Sequence, residues 1–238
     1  MANYNKEQYI KQAIESVLPL QDCIAELLIL DDCSTDGSFE IIAEYAKNNS
    51  FIRVLENESN QGVIGAFDRL FHEVRTEYLL SLASDDFFET EKIRKLVERV
   101  VESPRYDFYG ANFYYEYVQE SKRVLVNHAY IDHEGYLPPE QIKTELNGKP
   151  LPSTGGIYRL KSMLECGGYI ESLRWHSDWF LNIVMALKYG FYYLPEPVAV
   201  MRYYDGVFTS NSKKWSNQRD VLINIFRILK SDKFIELY

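Results

Sequence analysis

Cysteine is scarce in this 238-residue chain: Cys23, Cys33 and Cys166 are odd in number and follow no metal-ligand spacing. That argues against a disulfide framework and makes a reducing compartment, the cytosol, the expected setting. No run approaches the roughly 20 apolar residues that a membrane span requires. The start, MANYNKEQYI, lacks the apolar core of a secretory signal. Internal repeats and low-complexity linkers are also absent. Excess positive charge is missing too, since 26 Lys and Arg stand against 35 Asp and Glu for a net charge of −9. This argues against a broad phosphate-tracking surface for DNA or RNA, while leaving room for a local basic pocket for a diphosphate.

What is present supports a full hydrophobic core. With 46% hydrophobic residues the chain can fold as one domain or as one domain with a smaller appendage, which excludes a disordered or fibrous protein. The 19 tyrosines cluster between Tyr106 and Tyr117 and between Tyr189 and Tyr204. Aromatic platforms suit sugar faces, but the strand preference of Tyr and Phe accounts for these runs more simply.

Hydrophobic periodicity orders the elements. Tyr9, Ile10, Ala13, Ile14, Val17 and Leu18 recur at helical spacing, with Asn5 and Gln8 placed as in a capping box and Pro19 as the stop. Glu26–Leu30 is short, apolar and unalternating, as expected of a strand buried on both faces of a parallel sheet. A helix around Phe39, Ile42, Ala43 and Ala46 follows, then a strand at Ile52–Leu55. Next come a helix with Ile64, Phe67, Leu70, Phe71 and Val74 inward, a strand at Tyr78–Leu82, and a helix carrying Ile93, Leu96, Val97, Val100 and Val101. This alternation predicts an α/β fold: an open sheet with helices on both faces. Beyond Pro104 come an aromatic strand, a polar stretch from Asn127 to Pro152, a short strand-helix unit, and a helix from Asp178 to a C-cap at Gly190. A subdomain boundary is expected near Ser103.

Two acidic pairs, Asp31-Asp32 and Asp85-Asp86, end predicted buried strands. In open α/β sheets ligands bind beyond the carboxyl ends of the strands. Asp31-Asp32 also begins a turn-rich stretch, so turn formation alone could account for it. Asp85-Asp86 is harder to explain that way, because adjacent carboxylates repel unless a cation or donors compensate them. Mg²⁺ or Mn²⁺ typically takes one or two carboxylates plus substrate phosphates. A phosphoacceptor receiver domain would also place acids at strand ends, but no lysine ends a later core strand and about the last 100 residues would have no role.

Taken together, the motifs resemble glycosyltransferase family 2, whose fold is GT-A. The matching pieces are Ala2-Asn3-Tyr4-Asn5, Leu30 through Ser38, the Asn60-Gln61-Gly62 turn, Ser84-Asp85-Asp86, Gly167-Gly168-Tyr169 and Ser177-Asp178-Trp179. The resemblance implies that Ala2, Asn3 and Tyr4 line a nucleoside pocket and that Asp32 accepts a hydrogen bond from the base, most often uracil. It further implies that Asp85 approaches the ribose or metal, Asp86 coordinates Mn²⁺ or Mg²⁺ at the diphosphate, and Asp178 is the catalytic base. Residues 1–103 would then be the nucleotide-sugar-binding half and 104–238 the acceptor-side half with a C-terminal helix. The expected activity is inverting transfer from a nucleotide sugar to a hydroxyl of a glycan or lipid-linked acceptor, in polysaccharide biosynthesis, with peripheral membrane association left open. A non-catalytic nucleotide-sugar-binding module is the alternative. A nucleotidyltransferase is disfavoured, since no Gly-rich basic loop for a triphosphate lies near Asn5 and Lys6.

The chain departs from the family pattern in three places. Phe67 and Asp68 stand where Asn and Arg-like residues are usual, and Arg202-Tyr203-Tyr204 replaces an Arg-x-His segment. A diphosphate contact is therefore expected from Arg202 or from Lys213-Lys214, while His176 is left out of the site. The family pattern also implies an apolar strand running into Ala2-Asn3-Tyr4-Asn5. Such a strand is expected to precede Met1, and a groove between neighbouring strands is expected without it.

Overall fold

The computed structural model describes residues 1–128, 131–145, 151, 154–205, 215–231 and 234. Its first half follows the predicted alternation: β1 (Ala2–Asn3), α1 (Ile10–Val17), β2 (Leu27–Asp31), α2 (Ser38–Asn48), β3 (Ile52–Glu56), α3 (Gly62–Glu73), β4 (Tyr78–Leu80), β5 (Phe87–Phe88) and α4 (Thr90–Glu102). There follow β6 (Phe108–Tyr117), β7 (Lys122–Val126), β8 (Gly135–Leu137), α5 (Pro139–Glu145), β9 (Ile157–Arg159), α6 (Leu160–Glu165), a 3₁₀ segment Glu171–His176, α7 (Ser177–Tyr189), β10 (Phe191–Tyr203) and α8 (Trp215–Leu229).

A three-stranded parallel sheet, β1-β2-β3, meets a seven-stranded mixed sheet in the order β4-β9-β6-β10-β5, with β7 on β6 and β8 on β10. A parallel bridge between Ala2 and Ala83 joins the two. Strand side chains alternate between two cores, as the period-2 pleat requires. Leu28, Leu30, Phe108 and Tyr193 pack with α3, α6 and α7, whereas Leu27, Ile29, Tyr109 and Leu194 pack with α1, α2 and α4. The sheet therefore has helices on both faces. The tyrosine-rich runs are largely β6 and β10, paired in parallel from Tyr109 to Tyr117, so strand formation accounts for most of them. Strands from both sides of Ser103 share the larger sheet.

Two expectations require correction. Asn5 does not form a capping box: α1 begins at Ile10, and Tyr9 precedes it without a side-chain cap. Instead Asn5, at φ 51°, accepts a hydrogen bond from the Thr35 amide at 2.8 Å, which ties the loop after β1 to the turn after β2. The polar stretch from Asn127 also contains structure, since Gly135–Leu137 pairs with β10 and α5 follows. Leu137 and Ile142 anchor this segment in the core. A cavity of about 440 Å³ is lined by Met1, Leu27, Leu28 and Leu79–Leu82 among others. There the Met1 amine donates to the Leu28 carbonyl at 2.7 Å.

Candidate active site

A second cavity, of about 920 Å³, opens beyond the carboxyl ends of β1, β2 and β4. All seven residues singled out from sequence line it: Ala2, Asn3, Tyr4, Asp32, Asp85, Asp86 and Asp178.

Asp31 and Asp32 divide their work. The Asp31 carboxylate accepts from Asn3 Nδ2 at 2.7 Å, Ser34 Oγ at 2.7 Å and the Ser34 amide at 2.8 Å, locking β1 to the turn. Asp32 accepts from Asn57 Nδ2 at 2.6 Å and from the amides of Gln61 and Gly62, each at 2.9 Å. Asp32 thus fixes the loop from Asn57 into α3. Gly62 sits at φ +75°, a conformation strained for a residue with a Cβ, and its amide also meets Asn60 Oδ1 at 2.8 Å. A carboxylate offers about four lone-pair directions, so Asp32 keeps one for a ligand. The Asn3 side-chain oxygen is buried and lacks a partner among the described residues, giving the cavity a further acceptor.

Asp85 and Asp86 differ more sharply. Asp85 accepts from the Tyr204 hydroxyl at 2.6 Å and pairs with Lys6 Nζ at 3.1 Å; Lys6 also donates to that hydroxyl. Asp86 is buried, and its Oδ1 accepts from the Arg202 amide at 2.9 Å. It has no ion pair within 4.0 Å among the described residues. Burial, then the Asp85 charge, pushes its carboxyl well above the ordinary range. Arg202 cannot serve as the freely available cation expected from sequence. Its Nη1 donates to the Asp85 carbonyl at 2.6 Å, Nη2 to Gln12 and Nε to Glu116 at 3.3 Å, while the guanidinium lies 5.0 Å from the Tyr9 ring and 4.6 Å from the Phe87 ring. Lys213-Lys214 lie outside the described residues. In α3, Arg69 turns back to the Glu56 carbonyl and Asn57, and Phe67 is buried.

Among the described residues no cluster of three or more His, Cys, Asp or Glu side chains is arranged around a metal position. The pair nevertheless fits a hard divalent cation completed by ligand phosphates. Such ions use one or two protein carboxylates, and Asp86 is a buried acid that forms no ion pair among the described residues.

Asp178 enters the cavity wall from the first turn of α7. Gly167 and Gly168, both at positive φ, end α6 with amide bonds to Leu164 and Met163, a Schellman-like turn. Tyr169 then packs edge-on against Phe67 at 5.2 Å and Phe71 at 5.0 Å. Ser177 Oγ accepts the Ile170 amide at 2.5 Å, fixing the start of α7. Asp178 Oδ1 takes the Trp179 amide at 2.7 Å, which favours the charged form, yet burial outweighs it and raises the carboxyl. His176 turns to α8, where Gln218 meets its Nε2 at 2.7 Å and accepts the Trp175 indole at 3.0 Å.

The Asp178 shift has a stability consequence. A folded-state pKa above the ordinary 3.8 means that the folded chain holds this proton more tightly, so its stabilising effect is full below pH 3.8 and is lost as pH rises through the raised value. Asp178→Asn is therefore expected to melt higher than wild type at neutral pH, by about 2 °C, with the gap closing toward pH 4. Calorimetric melts at the two pH values check this; a gap independent of pH contradicts it.

Lys6, Tyr204 and Gln218 were not singled out from sequence. Tyr204 meets Asp85 across 119 positions and Gln218 meets His176 across 42, contacts that only the folded sheet and α8 create.

Residues 1–167 match the family described as "Glycosyl transferase family 2". TuaG of Bacillus subtilis, a glycosyltransferase assigned to teichuronic acid biosynthesis, is 34% identical over 100 residues, 42% of this chain and 40% of its own length. An uncharacterized glycosyltransferase of Haemophilus influenzae is 26% identical over 212 residues, covering 85% of this chain and 77% of that protein. Among solved structures, residues 1–349 of Staphylococcus aureus TarS with UDP-GlcNAc superpose with TM-score 0.73 at 18% identity, covering 97% of this chain and 66% of that one. The mannosyltransferase PcManGT of Pyrobaculum calidifontis, with GDP-Man and Mn²⁺, gives TM-score 0.65 at 12% identity over 95% and 62% of the two chains. The chain thus spans well under half the length of TuaG and just under two thirds of the TarS fragment.

Proposed function

Since the chain belongs to glycosyltransferase family 2 and has the GT-A fold, we propose that it transfers a sugar, with inversion, from a UDP-linked donor to a hydroxyl of a glycan or lipid-linked acceptor. The observation that carries this reading is the single cavity lined by Asp32, Asp85, Asp86 and Asp178 together. The uridine nucleotide is supported by the bound UDP-GlcNAc of TarS, and a role in polysaccharide biosynthesis by the name of TuaG. A cytoplasmic setting fits the three free cysteines. Among the described residues no helix is long and apolar enough to cross a membrane.

Each residue has a distinct task. Ala2, Asn3 and Tyr4 flank the nucleoside, and Asp32 accepts the base N–H with the lone pair left by the Asn57–Gly62 loop. Asp85, held by Lys6 and Tyr204, borders the ribose, and Asp86 would hold Mn²⁺ or Mg²⁺. When bound, such a cation would neutralise the diphosphate leaving group. Asp178 takes the proton of the acceptor hydroxyl as it attacks the anomeric carbon.

Nucleotide selectivity tests the donor half of this scheme. Asp32→Ala should weaken UDP binding by roughly 1–3 kcal/mol, the cost of an unpaired donor, and GDP binding much less. Calorimetric titrations with both nucleotides and Mn²⁺ measure this. Equal losses would leave Asp32 as a loop anchor only.

A further inference from the structure

Three cationic side chains among the described residues line the active-site cavity: Lys6, Arg202 and Arg174. Two are committed within the protein. Lys6 neutralises Asp85, and Arg202 is bonded to the Asp85 carbonyl, Gln12 and Glu116. Arg174 differs from both. It is exposed, lies 5.9 Å from the Trp175 ring, and has no ion pair among the described residues.

Its backbone is unusual as well. Arg174 adopts φ 47° and ψ −122° inside the 3₁₀ segment, a conformation costing a non-glycine residue on the order of 1–3 kcal/mol. Strain of this kind persists only where the surroundings enforce it. Here they do: Leu173 is fully buried on one side, and Trp175 and His176 are both bonded to Gln218 of α8 on the other. The same clamp leads directly into Asp178, four residues on. Arg174 and Asp178 both line the cavity that the residues proposed for the nucleoside also line.

We propose that Arg174 is a specificity residue for an anionic acceptor, holding a phosphate or carboxylate group of the acceptor while Asp178 faces its hydroxyl. The proposal rests on the glycosyl-transfer reading above and adds the chemical class of the acceptor. A guanidinium suits either anion because its planar donors match two oxygens at once. The adjoining Trp175 offers an apolar face to a sugar or polyol ring.

The test uses the whole chain saturated with UDP and Mn²⁺, probed by NMR titration with glycerol 3-phosphate against glycerol and with glucuronate against glucose. The charged member of each pair is expected to bind about tenfold more tightly, the effect of one charge-assisted contact. Arg174→Gln should erase that preference while leaving UDP affinity unchanged, and Arg174→Lys should retain part of it. Equal binding of charged and neutral probes, or a preference that survives Arg174→Gln, overturns the proposal. A loss of UDP affinity in Arg174→Gln also overturns it, by moving Arg174 to the donor diphosphate. Failure of the wild-type chain to bind UDP at all would instead refute the donor reading, a separate outcome.

Discussion

Asp178→Asn is expected to lower the transfer rate by about 10²–10⁴-fold while leaving UDP affinity intact. Asn keeps the size of the side chain and an oxygen to accept the Trp179 amide, so the start of α7 is preserved. What it loses is basicity. In the wild type two effects oppose each other: the helix start and the Trp179 amide favour the carboxylate, whereas burial disfavours it and prevails. The result is a stronger base than an exposed aspartate, poised closer to working pH. The same charge reaches its neighbours, since after burial Asp178 is the next cause of the raised phenols of Tyr115, Tyr158 and Tyr169. The pH profile of kcat should therefore rise with pH through the raised Asp178 value and flatten in the Asn variant. Stopped assays of sugar transfer across pH read this out. Near wild-type transfer by Asp178→Asn would leave Asp178 as a structural element of α7.

Asp86→Ala is expected to abolish the Mn²⁺-dependent part of UDP binding, a loss of about 10²-fold or more in affinity at saturating metal, with the fold retained. The physical ground is the asymmetry of the second acidic pair. Asp85 is already neutralised by Lys6 and hydrogen-bonded by Tyr204, while Asp86 is buried beside it with the Arg202 amide as its side-chain donor among the described residues. A carboxylate so placed gains most from a cation and least from its own protein. Removing it also relieves the repulsion with Asp85, so the apo variant should melt no lower than wild type. UDP titrations with and without Mn²⁺ measure the effect. An unchanged Mn²⁺ dependence would move the metal away from Asp86.

Much of this site was legible in the sequence because its acids follow strands directly. Leu27–Leu30 and Tyr78–Leu80 are short apolar runs that form strands, and a strand of an open α/β sheet delivers the residues after it to the open end of the sheet. Asp32 and Asp86 needed only that rule. Asn5 misled for a local reason: its spacing to Gln8 satisfied a capping pattern, but the stronger bond was to Thr35, 30 residues on. Arg202 was legible as a cation but not as a committed one, because Gln12, Glu116 and the Asp85 carbonyl reach it only through the β10-β6 and β10-β5 pairings. Likewise, Arg174 reads in sequence as an ordinary residue before Trp175-His176. Its positive φ becomes visible only once α8 has closed on that segment.

The central claim is that one cavity binds a nucleotide sugar and catalyses its transfer, and turnover tests it most directly. The chain is incubated with UDP-GlcNAc and other UDP-sugars, Mn²⁺ and a panel of glycan acceptors, and released UDP is followed alongside Asp178→Asn and Asp86→Ala. The expected result is UDP release that requires Mn²⁺, is stimulated by at least one acceptor, and falls in both variants. Tight UDP binding with no release from any UDP-sugar, in wild type as in the variants, would contradict it and leave a nucleotide-sugar-binding module without catalysis.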